Sequence, residues 1–158
     1  MRYFGMSLIF LAAFLFSHTV CRALRRRLAE EEGYLSLLRF MRGELTRYAR
    51  PVNEWCTQFR SEALEESGFL PHLRRDGDLL AAYGASSSSL GGRERELLTS
   101  LFSSFGKGYR EEEIGALTDR EAEFSAMVAE KKEALSKAER VVHTLCASVS
   151  LIAVILLL

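Results

Sequence analysis

The two ends of this chain are almost without charge, and its ionisable residues are crowded between them. Of 21 basic residues only Arg2 lies outside 22–142, and all 21 acidic residues fall between Glu30 and Glu139. This segregation is the profile of two membrane segments flanking a water-facing body. Length agrees, because 158 residues leave room for one modest domain and not two. Positive and negative charges balance, so net charge demands no acidic partner. Cys21, Cys56 and Cys146 are too few and too scattered to frame a disulfide fold, which suits a reducing compartment.

The first apolar segment, 3–21, runs 19 residues without a charge. A helix needs roughly 20 apolar residues to cross ~30 Å of hydrocarbon, so the length suffices. A signal peptide with Met6–Phe16 as its hydrophobic region is the competing reading. Against it, Arg22, Arg25, Arg26 and Arg27 follow at once, and such a cluster resists translocation. The second segment, 141–158, is 18 residues and ends in the apolar run Leu151–Leu158. A core helix of a soluble bundle is its alternative, opposed by that run and by Lys131, Lys132, Lys137 and Arg140 before it. Cations beside both segments put both on one cytoplasmic side. The expected layout is a transmembrane helix at 3–21, a cytosolic helical bundle at 22–140 and a transmembrane helix at 141–158.

Between the anchors the period is helical. Leu24, Leu28, Leu35, Leu38, Met41, Leu45 and Tyr48 recur at steps of three, four or seven, a single apolar stripe. No proline intervenes before Pro51, which predicts one long helix from the first anchor and a new helix opening at Pro51. Trp55, Phe59 and Ala63 extend an apolar face up to Ser67-Gly68, and a weakly patterned stretch through Leu79, Leu80 and Tyr83 follows. Serines 86–89, flanked by glycines across 84–92, predict a flexible loop. Leu97, Leu98, Leu101, Phe102 and Phe105 predict a short helix closed by Gly106 or Gly108. Last comes a near-heptad seam, Ile114, Leu117, Glu121, Phe124, Val128, Lys131, Leu135, Ala138 and Val142. Its helix starts at the capping-box form Thr118-Asp119-Arg120-Glu121 or runs through it from Arg110. Pairing antiparallel with the helix after Arg22 makes the fold class all-α: a small bundle between two terminal transmembrane helices.

No pattern of catalysis emerges. His18, His72 and His143 are isolated from other metal-ligand types. Gly106-Lys107-Gly108 fails the phosphate-loop pattern, since Leu101 and Gly108 stand where that loop needs Gly and Ser or Thr. The acidic triplets 30–32 and 111–113 read as solvated faces or arginine partners, because consecutive residues fan around a helix. Arg25-Arg26-Arg27 lacks the aromatic interleaving of a nucleic-acid patch and reads as a contact for membrane lipid. The expectation is therefore no enzyme, no cofactor, no metal, no nucleic acid and no small-molecule substrate.

Four places in the chain together resemble stage III sporulation protein AB. They are the anchor with its basic patch Cys21–Arg27, the run Leu38–Val52 with Glu44 seven residues before Pro51, the turn Leu98–Glu113, and the apolar close Thr144–Leu158. Tyr48 stands one position later than the family's aromatic, and Glu113, Tyr109 and Cys146 replace its usual Gln, Asp and Gly. That family is similar to the helical cytoplasmic domains of the inner-membrane platform protein of type II secretion. The resemblance implies a non-enzymatic part of the channel complex between mother cell and forespore, with the body on the mother-cell side of the outer forespore membrane. Its partners would be a cytosolic ATPase (stage III sporulation protein AA) and other channel membrane proteins. Glu44, Arg47, Arg50, Glu111 and Glu113 are the implied docking residues. The alternative function is a membrane-anchored helical adaptor or regulator unrelated to sporulation.

Overall fold

The computed structural model describes residues 2–48 and 52–157, without the side chains of most of the two apolar ends. It is all-α: α1 (Arg2–Arg47), α2 (Val52–Trp55), α3 (Glu62–Glu66), α4 (Phe69–Asp76), α5 (Leu79–Ala85), α6 (Gly92–Ser104) and α7 (Arg110–Leu157). There is no strand among the described residues. α1 is one helix of 46 residues, as the absence of an early proline predicts. α7 starts at Arg110 and passes through Thr118, whose hydroxyl donates back to the Ile114 carbonyl at 2.8 Å instead of capping a new helix.

Two compact units divide the chain. The first joins Met1–Arg26 to Glu130–Leu158. Within it Arg25 of α1 donates to Glu139 of α7 at 2.6 Å, and Cys21 is buried. Leu15, Leu145 and Val149 are each more than half exposed, at 55%, 58% and 56%. Among the described residues no helix is long and apolar enough to cross a membrane. The spans expected at 3–21 and 141–158 fall largely on side chains outside the description.

The second unit, Arg27–Ala129, holds a continuous apolar core. Here α1 and α7 run antiparallel. Arg39 of α1 meets Glu121 of α7, while Leu45 and Thr46, further along α1, meet Arg110 at the start of α7. Of the predicted stripe, Leu35, Leu38 and Met41 are buried and Leu28 and Leu45 pack against the core, but Leu24 and Tyr48 are exposed. Tyr34 and Leu37, outside that stripe, are fully buried, because α1 is covered on more than one face. From α7, Leu117, Phe124 and Val128 enter the core on the seam expected of them, joined by Met127.

The covering elements are short, and local chemistry sets their ends. Gly77, at φ 68°, closes α4 in the left-handed region that glycine adopts freely, and its N–H donates to the Leu73 carbonyl. Asp78 then caps α5 by accepting from the N–H groups of Leu80 and Ala81. So the weakly patterned stretch is two real helices, which bring Phe69, Leu70, Leu73, Leu79, Ala82 and Tyr83 into the core. Tyr34 stacks edge-on to Phe69 and Tyr83 with centroids 5.2 and 5.7 Å apart, and Phe102 completes the ring cluster. At Gly33 a Cβ would stand 2.9 Å from Ser61 Oγ and 3.1 Å from Leu64 Cγ, so the missing side chain lets α3 approach α1.

The serine segment departs from the flexible loop expected at 84–92. Gly84 and Ala85 finish α5, and Gly92 opens α6. The Ser87 N–H donates to the Ser67 carbonyl and the Ser89 N–H to Glu30 Oε2, both at 2.9 Å, and Leu90 is buried. Composition alone predicts no structure for the serine segment. A carboxylate reaching it from α1 supplies what composition does not record.

Candidate functional site

Two places gather polar side chains with a geometry that sequence only partly anticipates. The first is the end of the Arg27–Ala129 unit where α1 finishes and α7 begins. The last carbonyls of a helix have no partner inside it and carry its negative dipole end. Arg110 answers both demands, donating from Nε to the Leu45 carbonyl at 2.8 Å and from Nη2 to the Thr46 carbonyl at 2.7 Å. This clamp joins the helix carrying Glu44 and Arg47 to the helix carrying Glu111 and Glu113.

Four of the five expected docking residues therefore flank one clamp. Arg47 and Glu111 are exposed, while Glu44 and Glu113 are half-buried. Glu113 accepts from the Gly108 N–H at 3.2 Å and so holds the turn before α7. Glu44 Oε2 is buried without a hydrogen-bond partner among the described residues. Arg50 lies outside the described residues. Beside the clamp, Tyr48 and Tyr109 are exposed at 57% and 81%, two aromatic faces in water. Sequence reasoning named Arg110 only as a possible helix start and not as a residue of this site; its position at the head of a long helix was the available signal.

The second place is buried. Glu30, Glu31 and Glu94 are exposed by only 5%, 1% and 6%, so of the two readings of triplet 30–32 the solvated face fails at Glu30 and Glu31, while the arginine partner holds at Glu31. Only Glu32 of the triplet is exposed. Glu30 Oε2 accepts from both the N–H and the hydroxyl of Ser89. Glu31 pairs with Arg27, Nε to Oε1 at 3.5 Å. A Cβ on Gly91 would stand 2.6 Å from Arg27 Nη2 and 2.5 Å from Glu94 Oε2, so these two charged heads close over that glycine. Tyr34 and Tyr83 border the same segment, and burial pushes both phenols above their ordinary range.

Chemically the buried group is an anchor. Glu30 Oε2 is occupied by Ser89, Oε1 is buried without a hydrogen-bond partner among the described residues, and the aromatic neighbours are committed to the ring cluster. Among the described residues no three His, Cys, Asp or Glu side chains are arranged to hold a metal. Burial also raises the Cys56 thiol above its ordinary range, which lowers its thiolate fraction at neutral pH. The exposed clamp at the α1–α7 end is the better candidate for a partner, since its charges and rings face outward. Comparison with protein-family models, with curated proteins and with solved structures returns no match.

Proposed function

We propose that this chain is a non-enzymatic, membrane-anchored assembly component that docks a cytosolic ATPase and couples it to membrane partners. The observation that carries the reading is the dress of the first unit. Leu15, Leu145 and Val149 turn apolar side chains outward there. Leu145 and Val149 stand one turn apart on α7, and an apolar helix face turned outward suits a binding or membrane site. The hydroxyls there bond within their own helices, as Thr46 and Thr118 do in the other unit: Thr19, Thr144 and Ser148 each donate to the carbonyl four residues back, at 2.7, 2.8 and 2.9 Å. In hydrocarbon a hydroxyl must find its partner within protein, and its own helix is the nearest source.

The resemblance to stage III sporulation protein AB supplies the finer proposal. The complex is then the channel between mother cell and forespore, and the ATPase is stage III sporulation protein AA. Docking would use the clamp end, where Glu44, Arg47, Glu111 and Glu113 flank Arg110. Because Arg110 ties the ends of α1 and α7, a pull applied there acts on both long helices at once. The test is a topology map joined to a docking assay. A reporter fused after Leu158 should read as extracytoplasmic, and one inserted at the exposed Lys107 as cytosolic. The ATPase should co-purify with the chain and be lost on the double charge reversal Arg47→Glu, Glu111→Lys. A cytosolic reading at Leu158 would sink the two anchors, and unchanged co-purification would sink the docking end.

A further inference from the structure

Next to its apolar ends the first unit carries a collar of cations. Three arginines lie within 22–26 of α1, and four Lys or Arg residues lie within 131–140 of α7. The Arg25–Glu139 ion pair at 2.6 Å brings the two runs side by side. Only Glu130, Glu133 and Glu139 oppose seven cations, so four positive charges remain after every carboxylate is matched. Two of the three carboxylates already have partners inside the collar, Glu139 with Arg25 and Glu133 with Lys137 at 2.7 Å. Arg22, Arg26, Lys132 and Arg140 are exposed. Leu24, between Arg22 and Arg25, and Val141, next after Arg140, are exposed too, at 39% and 56%.

We propose that this collar is a binding surface for anionic phospholipid headgroups, so that the protein selects acidic lipid as well as crossing the bilayer. The inference rests on the membrane reading above. Guanidinium forks match phosphate oxygens in pairs, which favours Arg22 and Arg140 as the headgroup ligands. Exposed Leu24 and Val141 suit the boundary where headgroups give way to acyl chains, a setting that tolerates alternating cationic and apolar groups. Nearby cations lie within a Debye length of a charged leaflet, so their attractions to it add. An acidic protein segment could meet the same charge, but it would leave the apolar side chains of the collar in water.

The test uses the full chain reconstituted in vesicles of phosphatidylcholine with and without phosphatidylglycerol, washed with alkaline carbonate. Lipid retained by the protein after gentle solubilisation is then read by mass spectrometry. Retained lipid should be enriched in phosphatidylglycerol over the bulk mixture, and added salt should reduce the enrichment. The double variant Arg22→Gln, Arg140→Gln should lose about fivefold for each cation removed. Arg22→Lys, Arg140→Lys should keep most of it, which separates charge from misfolding. A chain that the carbonate wash removes overturns the membrane reading and the collar's role together. A chain that resists the wash yet retains both lipids equally, or keeps its enrichment in the glutamine variant, overturns the lipid proposal alone and leaves an acidic protein as the partner.

Discussion

The two units of this protein treat apolar side chains in opposite ways. In Arg27–Ala129 most of the large ones go inward: Tyr34, Phe69 and Phe124 are fully buried and Trp55 nearly so, while Tyr48, Leu80 and Tyr109 stay exposed. In the other unit Leu145 and Val149 face outward, and the α1–α7 contact at Arg25 and Glu139 is an ion pair. The second unit is organised by water, which drives rings together. For the first, the bilayer of the proposed function is a surrounding that leaves exposed apolar side chains without penalty. Six substitutions test how deep the contrast runs.

The largest effect should come from the ring cluster. Phe69 lies between Tyr34 and Phe102, with centroids 5.2 and 6.0 Å away, and has no exposed surface. Phe69→Ala should destabilise the second unit by about 3–5 kcal/mol through lost burial and a residual cavity. The single tryptophan, Trp55, is buried in that unit, so denaturant titration followed by its fluorescence reads this unit specifically. An unchanged midpoint would show that the cluster does not organise the core.

Val149→Asp tests the other half of the contrast. If Val149 faces hydrocarbon, a carboxylate near the middle of the segment should disfavour insertion by about 2.5–3.5 kcal/mol. On a helix face in water the same change should stay within about 0.5 kcal/mol. Membrane fractionation after expression decides between them. Undiminished recovery of the variant in the membrane fraction would remove the apolar outward face as a reason for the bilayer.

A smaller effect separates Glu30 from Glu133, two glutamates that look equivalent in sequence. Glu30→Ala should cost about 1–3 kcal/mol, because the Ser89 donors lose a charged acceptor in a shielded place. Glu133 is exposed and paired only with Lys137 one turn on, so Glu133→Ala should stay under about 0.5 kcal/mol. The pair also shows what was legible. Long periodic elements could be read: α1 as one helix, the α7 seam, and the burial of Leu38 and Phe124 all follow from spacing. The helices from Phe69 to Ala85 could not, because two turns are too few to display a period and tertiary cover decides which side is inside. Glu30 was misread for the same reason. Its burial depends on the serine segment coming back across α1, and a contact 59 residues away leaves no mark on the local pattern. At the clamp the docking candidates were found through resemblance, whereas Arg110, which brings them together, shows only in the structure.

The smallest expected effect is at Glu121, the one acidic position in the predicted seam. Its carboxylate lies between two arginines of α1, with Arg39 Nε at 3.2 Å and Arg42 Nε at 2.9 Å. The Arg42 contact is an ion pair without a directed hydrogen bond, since Oε2 has no partner of that geometry. Both arginines keep roughly half their side-chain surface in water, at 55% and 41%. Solvent screens such pairs, and each should contribute no more than about 1 kcal/mol. Glu121→Leu removes them but adds an apolar side chain beside Leu117 and Phe124, and apolar replacement of ion pairs is often neutral or stabilising. The unfolding midpoint should therefore move by less than about 1 kcal/mol in either direction, and Arg39→Ala should do less still. A loss as large as that of Phe69→Ala would mean that charge, and not apolar packing, fixes the register of α1 against α7. A lone polar residue in an apolar seam can act in that way by penalising every alternative alignment. The second unit would then have to be redescribed as two long helices registered at Glu121 and only covered by the rings.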